Sequence, residues 1–341
     1  MKDISGPGKA FRPSESDDKE DIIMDTIRTE IEKLTPGMVV NGDYLVKSCQ
    51  IRTSNQGKKY ATIFIGDKTG EIQGMFWEMN KPGMEAKIQK IQAGDVIHVS
   101  GLVNEYNGAR QLKITDVSPA DNTDLSDLVP SSPVDGSELF KVIRSKAEEI
   151  NDDELRTLTL TLMDEHREKL EYFPAASKNH HAIRGGLLYH VYRMLLSAEA
   201  LCGIYPVIRK DYIYTGVILH DIAKLFEIDA NEMGVAGGYT AEGELLGHII
   251  QGIKLVGTTC ERLGITYEKK IAVEHMILSH HYEPEYGSPK KPMFPEAELL
   301  HHLDLLDARM YDMEKGLRGV KAGEFSDKIW TLDNRRLFQL P

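Results

Sequence analysis

His220 and Asp221 stand side by side in the run Ile218-Leu-His-Asp-Ile-Ala-Lys224, two metal-binding side chains in an otherwise apolar stretch. Packing gives no reason for a carboxylate there, because burying an unpaired charge is costly unless it gains a partner. A metal ion is one such partner. Other residues of the same chemistry repeat the pattern. At helical spacing His190 shares a face with Leu187, Val191, Met194 and Leu195, and His220 with Ile213, Gly216 and Val217. His248 falls with Leu245, Ile249 and Gly252, His280 with Met276 and Ile277, and Asp304 with Leu300, Leu303 and Ala308. Five predicted helices therefore each aim a ligand-type side chain into a common core. A lone histidine on an apolar face is ordinarily a hydrogen-bonded core residue, so the weight rests on the conjunction. Imidazole and carboxylate donors suit Mn, Fe, Co, Ni or Zn, and the absence of cysteine from this set argues against a thiolate-rich structural zinc site.

The elements that must position these residues begin after a segment of different texture. Between residues 36 and 118 the chain reads as short strands separated by turn signals: Tyr44–Ile51, Tyr60–Ile65, Glu71–Trp77, Asp95–Gly101 and Gln111–Val117. A short helical stretch interrupts the third and fourth. Five strands in this arrangement predict a five-stranded Greek-key barrel of the OB type, a fold that stacks bases of single strands on aromatics while Lys and Arg track the backbone. Tyr60 and Trp77, with Lys58 and Lys59, are the preferred contacts, although strand aromatics more often serve the core. A Pro- and Ser-containing linker, residues 119–136, follows, and the chain is then helical to about residue 315. Upstream, residues 1–18 read as a disordered tail, and Ile23, Ile27, Ile31 and Leu34 as the apolar stripe of a short helix packing on a neighbouring domain or subunit.

The chain has 341 residues, room for two cored domains, and a net charge of −12. That balance argues against a protein coating nucleic acid through a basic surface. The excess acid is uneven, since residues 36–118 hold ten Lys and Arg against eight Asp and Glu. An acidic domain joined to a mildly basic one still holds a polyanion if metal ions neutralise phosphate at the acidic end. Cys49, Cys202 and Cys260 are far apart and read as reduced thiols. No window approaches the roughly 18 apolar residues of a membrane span, and no signal peptide follows Met1, so the expected location is cytoplasmic, with no membrane partner.

The order His190, His220-Asp221, Asp304 resembles the HD superfamily of metal-dependent phosphohydrolases, whose fold is all-helical. Members with two metals carry three further histidine positions, matched by His248 and the pair His280-His281. The resemblance implies that His190, His220, Asp221 and Asp304 hold one ion and Asp221, His248 and His280 the second, with Asp221 bridging. Mn2+ is the expected metal, with Co2+, Fe2+, Ni2+, Zn2+ or Mg2+ as alternatives. Two ions about 3.5–4 Å apart activate water and stabilise charge on a phosphodiester. Asp221 and Lys224 are the catalytic candidates, Lys224 lying one turn on and within reach of a phosphate oxygen. His181, Arg184 and His281 are placed to touch substrate, whereas His180, beside them in the loop before Gly185, reads rather as a loop hydrogen-bonding residue.

An OB-like module before this domain, with Asn179-His-His-Ala-Ile-Arg-Gly-Gly, Leu278-Ser-His-His281, Tyr286-Gly-Ser-Pro289 and Leu303-Asp-Leu-Leu-Asp-Ala-Arg309, resembles the YhaM family of bacterial 3′-5′ exoribonucleases. That resemblance implies a metal-dependent enzyme shortening single-stranded RNA, with single-stranded DNA as a further substrate, and allows a homo-oligomer. The resemblance covers about residues 38–315, and the chain's own texture divides it into an N-terminal segment 1–35, longer than that family leads one to expect, an OB-fold domain 36–118, a linker 119–136, an HD domain 137–315 and a C-terminal tail 316–341. Two other readings compete. One is hydrolysis of small nucleotides or cyclic dinucleotides, for which the expected Gly-Tyr-Pro signature is replaced by Glu283-Pro-Glu-Tyr-Gly287. The other is a nucleic-acid-binding protein with a dead HD domain, disfavoured because every expected ligand is retained.

Overall fold

The computed structural model describes residues 29–54, 56–106, 108–120, 125–177 and 181–341. Ile23, Ile27 and the acidic residues 1–28 lie outside them, as does His180. The first domain is a closed barrel of strands β1 (Val39–Thr53), β2 (Lys59–Asp67), β3 (Gly70–Phe76), β4 (Val96–Tyr106) and β5 (Ala109–Pro119), in the order β1-β2-β3-β5-β4. The 15-residue β1 pairs with β2 and with β4, its β2 register shifting between Val46 and Ser48, so one long strand serves two neighbours. Closure comes from the parallel β3–β5 pairing, in which Gly74 lies against the Ile114 side chain too closely for any Cβ. Period-two alternation then fills the interior, with Ala61, Ile63 and Ile65 inward and Phe64 outward. Helix α1 (Met84–Ile88) packs Ile88 into that core between β3 and β4.

Ile31 and Leu34 belong to the barrel core, not to a stripe on a neighbouring domain or subunit. Their described part is a single tight turn, Ile31–Lys33. The Ile31 amide donates to Asp67 Oδ2 at 2.9 Å, and the Arg110 guanidinium donates to the carbonyls of Ile31, Glu32 and Leu34. Arg110 is thus a clamp on this segment.

The second domain is helical: α2 (Gly136–Glu148), α3 (Asp153–Glu165), α4 (Arg167–Leu170), α5 (Gly186–Cys202), α6 (Lys210–Leu219) and α7 (Lys224–Glu227). A small hairpin, β6 (Ile228–Ala230) with β7 (Ala236–Tyr239), precedes α8 (Ala241–Leu263), α9 (Tyr267–Ser279) and α10 (Pro295–Leu317). One core of Leu, Ile, Val and Met side chains unites α2, α3, α5, α6, α8, α9 and α10. Leu125, Leu128 and Val129 are packed, the last two buried against Leu45 of the barrel and beside Met233 and Val235 of the β6–β7 hairpin. The C-terminal residues, expected as a tail, form a folded hairpin: the Ser326 amide donates to Leu337 O, the Gln339 amide to Glu324 O, and Leu332 is buried. No described helix is long and apolar enough to cross a membrane.

Candidate metal centre

His220 and His280 each follow the last turn of a helix, α6 and α9, and use it in the same way. The Nδ1–H of His220 donates to Val217 O at 2.9 Å and that of His280 to Ile277 O at 2.8 Å. A carbonyl only accepts, so the proton is on Nδ1 and the Nε2 lone pair faces the domain centre. His190, inside α5, is turned by a carboxylate, its Nδ1 lying 2.7 Å from Asp307 Oδ2. His248, on α8, has its Nδ1 2.9 Å from Glu227 Oε1.

Asp221 sits where these rings converge. Its Oδ2 is 3.2 Å from His220 Nε2 and its Oδ1 3.5 Å from His248 Nε2 and 3.8 Å from His280 Nε2. Asp304 Oδ1 is 3.3 Å from His190 Nε2. The structure therefore brings together His190, His220, Asp221, His248, His280 and Asp304. His281 joins them at the edge: its ring is 4.2 Å from that of His280 and 5.1 Å from that of His248, and its Nδ1 donates to Tyr286 O. Burial would raise the Asp221 and Asp304 carboxyls, but Lys224 and His220 beside the first and His190 beside the second hold both well below the usual range.

His220 Nε2, His248 Nε2, His280 Nε2 and Asp221 Oδ1 are buried and have no hydrogen-bond partner among the described residues. Each such group costs about 1–3 kcal/mol when left unsatisfied. These four, all metal-donor types and gathered around the two oxygens of Asp221, fit divalent cations, and the donor set is free of thiolate.

Lys224 is buried, not a solvated helix lysine, and its Nζ donates to Asp221 Oδ2 at 2.7 Å. Burial opposes its charge, but Asp221 outweighs that and raises its pKa. His181 is fully buried, so the expected substrate contact does not exist there; its Nε2 donates to Asp307 Oδ2 at 2.8 Å and its ring lies on Tyr311. Burial pushes its pKa down to about 4 despite that carboxylate. Arg184 also leaves the site, donating from Nη1 to Glu232 O while its backbone pairs with Pro130 and Ser132. It fastens the interdomain segment to the β6–β7 hairpin.

Asp307, Arg193 and Glu227 escaped the sequence reading. Asp307 accepts from His181, from His190 and from Arg193 Nε at 2.5 Å. Its i+3 spacing from Asp304 on a ligand-bearing helix was the available signal.

Between Asp304 and Asp307 the His190 imidazole, although fully buried, is raised to about 9. Its unfolded value is near 6.5, so the metal-free protein has the full benefit of this protonation below about pH 6.5 and loses it as pH rises toward 9. Metal needs the neutral ring, hence affinity should rise over the same interval. Calorimetric Mn2+ titration at pH 7.5, in buffers of different ionisation enthalpy, should show about one proton released from this site.

On the barrel, Tyr60 and Trp77 stack on each other at 4.5 Å between ring centroids, with Trp77 38% exposed. Trp77 rims a cleft of about 900 Å³ whose walls include Lys58, Asn104, Gln111 and Lys113. It lies on the strand face and loops by which such barrels hold oligonucleotides. Lys59 pairs with Glu85 at 2.6 Å outside the cleft lining, while Lys81 and Lys113, missed in the sequence, join Lys58 along it.

A closed five-stranded barrel with this cleft, followed by helices converging His and Asp side chains, defines an OB-fold module joined to an HD domain. Family models match accordingly: the OB-fold nucleic acid binding domain over residues 45–120 and the HD domain over residues 187–309. The chain is 36% identical over 306 residues to the 3′-5′ exoribonuclease YhaM of Halalkalibacterium halodurans, covering 89% of this chain and 93% of that protein. The YhaM protein of Oceanobacillus iheyensis is 34% identical, covering 89% and 95%, and that of a Geobacillus species 36%, covering 86% and 90%. The chain belongs to the YhaM family.

Proposed function

We propose that this protein is a divalent-metal-dependent 3′-5′ exoribonuclease acting on single-stranded RNA. The observation that carries the reading is the convergence on Asp221 of buried donors with no hydrogen-bond partner among the described residues. His190, His220, Asp221 and Asp304 would hold one ion and Asp221, His248 and His280 a second, with Mn2+ the expected metal. Bound there, the ions supply Lewis-acid activation of water and charge stabilisation at the phosphate. The chain's own residues do the rest. Lys224 holds Asp221 ionised and in place, and adds positive charge where a phosphate is received. His281, at the cluster's edge, is positioned to meet the terminal phosphodiester, and the barrel cleft keeps the strand engaged while it shortens.

The competing substrates separate in one assay. Purified protein with Mn2+ should degrade single-stranded RNA and leave cyclic dinucleotides and deoxynucleoside triphosphates intact. Turnover of the small nucleotides alone would sink the proposal.

The barrel's part is tested by binding. Trp77→Ala should weaken RNA affinity about 5- to 100-fold, the loss of one base-stacking platform, with the rate at saturating substrate unchanged. Removing Lys58 and Lys113 together should lower the slope of log affinity against log salt by about 1.4. Fluorescence anisotropy with labelled RNA reads both.

A further inference from the structure

Residues Ala241–Leu263 run as one helix, yet the backbone breaks at Gly247, where φ is +66° and ψ 163°. Leu245, on the near side of that break, is 82% exposed, so it does not share the buried face of His248, Ile249 and Gly252 that an unbroken helix predicts. The break makes His248 the first residue of a second half-helix, and first-turn amides have no intrahelical acceptor.

One atom meets both needs of that residue. Glu227 Oε1, at the end of α7, accepts the His248 backbone N–H at 2.9 Å and its ring Nδ1–H at 2.9 Å. Tying amide and ring to one oxygen fixes the side-chain torsions and leaves Nε2 facing Asp221 Oδ1. His220 and His280 need no such help, since each uses a carbonyl three residues back in its own helix. Gly247 is the backbone condition for the arrangement. Its left-handed φ strains any other residue, and a Cβ would stand 3.7 Å from that same Oε1. Glu227 is itself held, its carbonyl accepting the Thr240 amide and packing against Gly243, where a Cβ would collide with it.

We infer that Glu227 is a positioning residue that acts through His248 to set the affinity of the second metal position, with the Gly247 break as its structural requirement. This rests on the two-ion reading above. Partners of this kind orient ligand imidazoles, and their loss typically lowers metal affinity about 10- to 100-fold.

The test is Mn2+ binding to the metal-free, full-length protein by calorimetry. Wild type should take up two equivalents. E227M, which keeps the side-chain volume without an acceptor, should bind one equivalent as wild type does and the second about 10- to 100-fold more weakly. E227Q retains an oxygen at the same place and should recover most of that loss. G247A should behave as E227M and carries the same expectation should E227M not fold. Two equivalents bound by E227M or G247A with wild-type affinities would overturn the inference and leave the two-ion reading standing. A single equivalent bound by wild type would overturn both.

Discussion

Asp221→Ala is expected to abolish hydrolysis, by about 10⁴-fold or more, while RNA binding by the barrel stays at wild-type strength. Residues that act as one catalytic unit lose effects of this size when a central member goes. Asp221 is such a member, since its two oxygens face His220, His248, His280 and Lys224 at 2.7–3.8 Å. A second consequence follows from the same geometry. With the carboxylate gone, the buried Lys224 ammonium loses its partner, and breaking a buried pair from one side costs about 3–5 kcal/mol. Asp221→Ala combined with Lys224→Met should therefore recover most of the stability and none of the activity. Thermal melting and RNA hydrolysis on the two variants read these outcomes separately, and full activity in either would remove Asp221 from the centre.

Stripping divalent metal with a chelator should abolish hydrolysis outright, and Mn2+ should restore it. Stability is expected to move with it. Three imidazole Nε2 atoms and Asp221 Oδ1 are buried without hydrogen bonds to any described residue, so an ion that engages them binds the folded state and not the unfolded chain. Mass action then adds about 2.7 kcal/mol at a free metal concentration 100 times the dissociation constant. For a helical domain of this size that is roughly 5–10 °C in Tm. A melting temperature indifferent to Mn2+ would mean that these donors meet no ion.

The barrel was legible because its signals are local: period-two alternation, turn residues at regular spacing and a helical interruption each survive in one sequence. The ligand-bearing helices were legible for a similar reason, since His190, His220, His280 and Asp304 fall on apolar faces that the structure buries together. What escaped is set by long-range geometry. Glu227 reads as an ordinary charge ending a short helix, and its bond to His248 spans 21 residues and a helix break. Gly247 carries no mark that distinguishes it from a tolerated helical glycine, so Leu245 was placed on the wrong face. His181 and Arg184 looked like substrate contacts because they are polar residues before a ligand helix; burial against Asp307 and the bond to Glu232 gave them structural work instead. Ile31 and Leu34 were right as apolar positions and wrong in destination, because the stripe could not show that Asp67 and Arg110 would draw it into the barrel.

The central claim, removal of nucleotides from the 3′ end by a metal centre built on Asp221, is tested most directly with one RNA labelled separately at each end. With Mn2+, the 5′-labelled strand should give a ladder shortening step by step, and the 3′-labelled strand should release its label at once as a mononucleotide. Internal fragments from both strands, or early release of the 5′ label, would contradict the account.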